Sequence, residues 1–178
     1  SLFERPNEWP VHEVVTRFRE RSKPIKGHWP DDLDAFLDTH ESVVYVGFGS
    51  MVNAQPQQVA ADVIAVCGQS GLGVVMNRSW GGLEPPEDTP KHVFIVDDVP
   101  FEKLFPRVDA VVHHGGSGTT HSALRCGTPQ AIIPHIADQF FWSRQVVQAG
   151  HGVPGFPIKQ WSRNRFAELI TSLKIKPK

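Results

Sequence analysis

The stretch HHGGSGTT, residues 113–120, is the part of the chain best suited to chemistry. It lies between an apolar run and an amphipathic run, which predicts a strand followed by the start of a helix. The first amides of a helix have no intrahelical acceptor and the helix dipole is positive there, so this junction is suited to an anion. Three glycines would let a ligand approach the backbone closely. A plain helix start capped by Thr119 is the alternative, but a cap needs one small polar residue and not three glycines.

Known phosphate and nucleophile motifs can be compared with this stretch. A Walker loop is excluded because no lysine follows the glycines, and a nucleophile elbow is excluded because Thr119 stands where its last glycine would be. The dinucleotide fingerprint remains an alternative, with Gly116, Gly118 and Asp138 as the ribose partner. Against it, His121 occupies the position of the third glycine, and several predicted strand–helix units come before the motif.

Composition limits the class of protein. The 178 residues include 18 basic and 19 acidic side chains, so bulk charge gives no attraction to nucleic acid or to an anionic membrane. A hydrophobic content of 40% is enough for one compact domain. Cys67 and Cys126 lack metal-ligand spacing and are expected in the core of a protein from a reducing compartment. With no leader-like start and no long apolar run, a cytoplasmic chain is expected.

Apolar runs alternate with amphipathic runs along the chain. Strands that are apolar throughout and are joined by helices predict a Rossmann-like, doubly wound parallel α/β sheet, with ligands at the carboxyl ends of the strands. The predicted strands are residues 43–48, 73–77, 93–96, 110–114 and 131–134, and the predicted helices are residues 56–71, 101–105, 119–127, 138–150 and 162–175.

Longer motifs identify a family. In order along residues 5–172, the chain resembles the C-terminal, donor-binding half of GT-B nucleotide-sugar glycosyltransferases of family 1, in the sterol glucosyltransferase-like and vancomycin-group branch. The resemblance rests on RPNEWP, VYVGFGSM, WGGL, VFIVDDVPFEKLFPRVDAVVHHGGSGTT, CGTPQAIIP and DQFFW. It implies a single domain, with residues 1–40 as a lead-in segment and first strand packed on it and residues 41–178 as the donor-binding domain. The N-terminal acceptor-binding domain is expected outside this sequence.

The resemblance also implies the roles of particular residues. Val99 would bind the nucleobase through its backbone, and Asp138 and Gln139 would bind sugar hydroxyls. His113 is expected to be packed, because neighbours on a strand point to opposite faces. The expected contacts to the donor diphosphate are Ser50, His114, Gly116, Ser117, Gly118 and Thr119.

Two positions depart from the plant members of the family. Asp98 stands where a tryptophan stacks on the base, so Trp80 becomes the candidate for stacking, and Ser122 stands where a glutamate binds ribose. None of the nine histidines shows zinc-ligand spacing. No metal or other cofactor is therefore expected, and the UDP-sugar is a co-substrate.

The implied activity is inverting transfer of a hexose, with UDP-glucose as the expected donor, to a hydroxyl of a lipophilic acceptor such as a sterol. In the family the catalytic base is a histidine of the N-terminal domain, so no catalytic residue is expected in this chain and no turnover is expected from it alone. The expected partners are the UDP-sugar and the acceptor-binding domain, without nucleic acid, and with membrane contact only through the other half. An NAD-binding oxidoreductase fragment and a non-catalytic nucleotide-sugar-binding subunit are the alternatives.

Overall fold

A computed structural model describes residues 5–13, 15, 27–78 and 82–175 of the chain. Its centre is a sheet of six parallel strands, covered by helices on both faces. Two 3₁₀ turns, Phe105–Arg107 and Ile158–Gln160, complete the described elements. The strands are β1 Val43–Gly47, β2 Gly73–Asn77, β3 Val93–Val96, β4 Ala110–His113, β5 Gln130–Ile132 and β6 Gly152–Val153, and the helices are α1 Leu33–Thr39, α2 Pro56–Gln69, α3 Phe101–Leu104, α4 Ser117–Cys126, α5 Gln139–Gln148 and α6 Arg163–Ser172.

The strand order is β3-β2-β1-β4-β5-β6, and every neighbouring pair is parallel. The register places Val44 of β1 between Val74 of β2 and Ala110 of β4. After β1 the chain continues toward one side of the sheet, and after β4 it continues toward the other. In doubly wound folds this reversal leaves a crevice at the carboxyl ends of the two strands. The predicted doubly wound parallel sheet is confirmed, and it fixes where a ligand site should lie.

Two apolar layers hold the sheet between the helices. On one face the side chains of β1, β2 and β4 pack with those of α2 and α6 around Phe48 and Phe166. On the other face Tyr45 lies fully buried against Phe101 and Phe105, with ring centroids 5.5 and 5.2 Å apart, beside α1, α3 and α4. Because both faces are covered, the central strands are buried along their whole length.

The structure differs from the sequence-based expectation at the edges. Within the described part of residues 1–40 the element is a helix, α1, whose Leu33, Phe36 and Leu37 pack on the sheet, and among the described residues the first strand begins at Val43. The two-residue strand β6 was not predicted, because a Gly-Val pair carries no period. The other predicted strands and helices are present, with ends that differ by a few residues.

Candidate functional site

The loops after β1 and β4 meet at the crevice through the ring of His114. A Cβ atom on Gly49 would lie 2.8 Å from Cε1 of this ring, and a Cβ atom on Gly116 would lie 2.5 Å from its Nε2. Both glycines are therefore required to make room for the imidazole. Ser50 follows Gly49 and is exposed, so the structure places the two predicted diphosphate contacts, Ser50 and His114, at the same crevice.

His114 carries a polar atom with no partner inside the chain. Its Nδ1 is buried and forms no hydrogen bond to any of the residues that the structure describes. Burial first, and the neighbouring His135 second, lower the pKa of His114 to about 4. The ring is therefore neutral at pH 7. Leaving a buried nitrogen unsatisfied costs about 1–3 kcal/mol, which is typical of a side chain that is placed for a ligand.

The start of α4 forms the second wall of the crevice. Gly116 is the N-cap, and no side chain of the described residues caps this end of the helix. The alternative in which Thr119 caps the helix is therefore wrong, because Thr119 lies within its first turn. By helix geometry the amides of residues 117, 118 and 119 have no intrahelical acceptor and point out of the helix start. A helix start that contains glycine and has no side-chain cap is suited to binding an oxyanion.

Gly118 has no structural reason to be glycine. A Cβ atom there would meet no atom within 4 Å, and its φ lies outside the left-handed region. Alanine would favour the helix by about 1 kcal/mol at such an exposed helical position. Since nothing within the described residues requires glycine at this position, the residue fits a site that a ligand approaches closely.

His113 is packed, as predicted from the alternation of side chains along β4. It is fully buried, and its Nε2 donates to Oε1 of Gln130 at 2.8 Å. Its Nδ1 accepts from the amide of Gly115 at 3.1 Å. Burial lowers the pKa of His113 to about 3, so the ring is neutral. His113 thereby fixes Gly115, whose φ of 94° and close approach to Ile132 exclude a side chain.

The two residues predicted to bind the sugar have different environments. Asp138 is exposed at the start of α5, and its Oδ2 accepts from the indole of Trp142 at 3.0 Å. Gln139 is buried, and its Oε1 accepts from the amides of His135 and Ile136 at 2.7 and 3.1 Å. The oxygen of Gln139 is therefore used within its own loop, while the carboxylate of Asp138 lies at the surface of the site.

The stretch predicted to frame the nucleobase is held by residues from the lead-in segment. The amide of His28 donates to the carbonyl oxygen of Asp98 at 3.0 Å. Gly27 has a φ of 117°, and a Cβ atom there would lie 3.0 Å from the nitrogen of Pro100. The side chain of Val99 is buried, which leaves its backbone for recognition. Trp80, the candidate for stacking on the base, lies outside the described residues.

Three large apolar side chains are exposed beside the site. Val52, in the loop after β1, is 71% exposed, and Ile136, in the loop after β5, is 57% exposed. Phe140, in the first turn of α5, is 37% exposed. We call these three residues the apolar rim.

Two features are absent from the described residues. No three His, Cys, Asp or Glu side chains in this part of the chain come together as a metal site would require. No helix in it has the length and apolar character needed to cross a membrane.

The fold and the site define the class of the molecule: a doubly wound α/β domain with a glycine-rich helix start at its topological switch point. The chain belongs to the family described as erythromycin biosynthesis protein CIII-like, C-terminal domain, which matches residues 61–173. The predicted membership in the C-terminal domains of family 1 glycosyltransferases is confirmed.

Individual relatives agree with this assignment. A sterol 3-beta-glucosyltransferase of Arabidopsis thaliana is 30% identical over 169 residues, which are 95% of this chain and 26% of that protein. The vancomycin aglycone glucosyltransferase of Amycolatopsis orientalis is 42% identical over 123 residues, which are 68% of this chain and 29% of that protein. The chain thus spans about a quarter of the length of the curated relatives that it matches.

A solved structure confirms the fold. The glycosyltransferase VinC, in complex with dTDP, superposes with a TM-score of 0.66 at 23% identity, over 85% of this chain and 37% of its own. The predicted likeness to the C-terminal half of a GT-B fold is therefore confirmed.

Proposed function

We propose that this chain is the donor-binding domain of a glycosyltransferase that transfers glucose from UDP-glucose, with inversion, to a hydroxyl of a lipophilic acceptor. The observation that carries the proposal is the crevice between β1 and β4. There a neutral imidazole with an unpartnered buried nitrogen, His114, faces the uncapped start of α4. The free amides at the start of α4 suit an anionic ligand, and both features lie at the switch point where doubly wound folds bind nucleotides.

The diphosphate of the donor would occupy this crevice. The amides of Ser117, Gly118 and Thr119 would donate to its oxygens, and the open space over Gly118 allows this approach. His114 would donate one hydrogen bond as a neutral ring, because burial lowers its pKa to about 4. Ser50 would contribute its hydroxyl from the loop after β1.

The remaining parts of the donor would lie on either side of the diphosphate. The uracil would be recognised by the backbone of Val99, whose loop is held in place by residues 27 and 28. The sugar would lie over the loop after β5, where the exposed carboxylate of Asp138 can accept hydrogen bonds from hydroxyls. No metal or other cofactor is proposed, because amides, a hydroxyl and an imidazole supply the donors that a diphosphate needs.

The relatives support the nature of the reactants. Two of them are named for glucose transfer, one to a sterol and one to the vancomycin aglycone. An apolar acceptor agrees with the apolar rim of Val52, Ile136 and Phe140. The nucleotide of VinC is dTDP, so the choice between uracil and thymine is part of the test.

The chemistry proposed for this half is stabilisation of the leaving group. As the bond between the anomeric carbon and the diphosphate breaks, negative charge grows on the diphosphate oxygens. The α4 amides and His114 are already oriented toward that charge, which is electrostatic preorganisation. The acceptor hydroxyl attacks the opposite face of the anomeric carbon, and its proton goes to a base supplied by the acceptor-binding domain.

Isothermal titration calorimetry of the 178-residue chain tests the proposal. We expect binding of UDP and of UDP-glucose, unchanged by EDTA, with weaker binding of dTDP and none of NAD. Binding of NAD in preference to UDP would support the oxidoreductase alternative. A strict requirement for a divalent cation would contradict the metal-free site. Mixing the chain with a separately produced acceptor-binding domain would then show whether it takes part in transfer or only binds the donor.

A further inference from the structure

The loop after β5 is fastened to the loop after β1, although these two strands are not neighbours. Nε2 of His135 lies 2.9 Å from Oδ1 of Asn53, and both side chains are buried. In the sheet order, β4 lies between β1 and β5. The contact therefore closes one side of the crevice around the end of β4, where His114 is located. We call this contact the loop bridge.

The partners in the loop bridge follow from the hydrogen bonds around it. The amide nitrogen of Asn53 donates to the carbonyl oxygen of Gly82, so its oxygen faces His135. Burial lowers the pKa of His135, which favours the neutral ring. The other ring nitrogen, Nδ1, lies 2.9 Å from the carbonyl oxygen of Ile133, so both ring nitrogens face an acceptor and the single hydrogen of the neutral ring is shared between Asn53 and Ile133. Through the loop bridge and the bond to Gly82, one line of hydrogen bonds joins the loops that follow β5, β1 and β2.

A second contact reinforces the loop bridge. The amide nitrogen of Gln139 donates to the sulfur of Met51 at 3.2 Å, while the oxygen of Gln139 accepts from the backbone at His135 and Ile136. The turn between them includes Ala137, which has a φ of 49° although it is not glycine. Such a conformation persists only where the surroundings enforce it. The position of Asp138 is thus set by a turn that is held from the side of β1.

We infer that His135 is a positioning residue for the sugar of the donor. Its ring lies near His114 but has its hydrogen-bond contacts with Asn53 and Ile133, and through Asn53 it fixes the loop that carries Asp138 relative to the loop that carries Ser50. This inference rests on the proposed function. Loss of the loop bridge lets Asp138 shift away from the sugar, while the start of α4, which the bridge does not touch, continues to hold the diphosphate.

The test compares two variants of His135 in the 178-residue chain. His135→Phe keeps a ring beside Phe48, whose centroid lies 5.1 Å from that of His135, but has no donor. His135→Gln keeps an N–H donor at a similar distance from the backbone. We expect His135→Phe to weaken UDP-glucose binding about tenfold and UDP binding much less, because a displaced Asp138 carboxylate loses its hydrogen bond to the sugar. His135→Gln should restore most of the UDP-glucose affinity.

A matched control and a second variant complete the design. His92→Phe removes another partly buried histidine, whose Nε2 lies 3.0 Å from the carbonyl oxygen of Ile64 at the opposite edge of the sheet. It should change neither affinity. Asn53→Ala breaks the loop bridge from its other end, so it must give the same selective loss of UDP-glucose affinity as His135→Phe. It replaces His135→Phe in the test if that variant does not fold.

The possible results separate this inference from the proposed function. If UDP does not bind to the wild-type chain, the proposed function is wrong and the positioning role falls with it. If UDP binds normally but His135→Phe and Asn53→Ala leave UDP-glucose affinity unchanged, or lower both affinities equally, only the positioning role is wrong. A selective loss in both variants, with recovery in His135→Gln, supports it.

Discussion

The imidazole of His114 lies so close to Gly49 that a Cβ atom on Gly49 would come within 2.8 Å of the ring. Since Gly49 also has a φ of 57°, no other residue fits there without strain. The loop after β1 is shaped around a histidine that forms no hydrogen bond through Nδ1 within the described residues. This relationship indicates that His114 is held in place for a ligand.

The first prediction concerns His114→Ala. Removing the ring should weaken UDP binding about tenfold to hundredfold, because a hydrogen bond to a charged group contributes about 1.5–3 kcal/mol. Thermal stability should be unchanged or slightly higher, because an unsatisfied buried nitrogen is removed with the ring. Calorimetry and a melting curve measure the two effects. The exposed His151, beside β6 at the opposite edge, provides the control variant His151→Ala. A loss of stability without a loss of affinity would contradict a ligand role.

The sequence predicted the parts of the site that depend on local pattern. The alternation of side chains along β4 predicted that one of His113 and His114 is packed, which His113 is, whereas the ligand role of His114 was implied by the family resemblance and stays a prediction. The loop bridge could not be predicted, because His135 and Asn53 are 82 residues apart and meet only through the order of the strands. The hydrogen bonds that the oxygen of Gln139 accepts within its own loop could not be predicted either, because they depend on the turn at Ala137.

The second prediction concerns Gly118→Ala. The added methyl group meets no atom of the described chain, and alanine favours a helix, so the variant should be more stable by up to about 1 kcal/mol. The same methyl group would lie where the diphosphate approaches, so UDP affinity should fall at least about tenfold, as expected when a methyl group displaces a charged hydrogen-bond acceptor.

A matched control for Gly118→Ala exists in α6. Asn164 is the second residue of that helix, as Gly118 is of α4, and it is exposed. Asn164→Ala should also increase stability slightly, with no effect on UDP. Opposite changes in stability and affinity, confined to Gly118→Ala, identify a glycine kept for the ligand. Unchanged UDP affinity in Gly118→Ala would show that the ligand does not bind over this turn.

The third prediction separates the two parts of the donor. Asp138→Ala should weaken UDP-glucose binding about tenfold or more and UDP binding little, because the carboxylate would contact only the sugar. The indole of Trp142 also donates to this carboxylate. Trp142→Phe therefore serves as the control that removes this bond while the carboxylate stays. Equal losses for UDP and UDP-glucose in Asp138→Ala would show that the residue acts only on the structure of α5.

The last prediction concerns stability against pH. Burial lowers the pKa of His113 from its ordinary 6.5 to about 3, so between these values the unfolded chain binds a proton that the folded chain does not. The free energy of unfolding should therefore be independent of this group above pH 6.5 and fall as the pH is lowered toward 3. The lowered pKa of His114 makes the free energy of unfolding fall in the same way as the pH is lowered to about 4.

Replacing His113 isolates its share of this effect. His113→Gln removes the titrating group and keeps an amide that can bond to Gln130. The free energy of unfolding should then change less steeply between pH 6 and 4.5, because unfolding takes up about one proton fewer. Denaturant titrations at several pH values give this number directly. His151→Ala again serves as the control, since it removes an exposed histidine. An unchanged slope in His113→Gln would mean that the His113 ring is not buried in its neutral form.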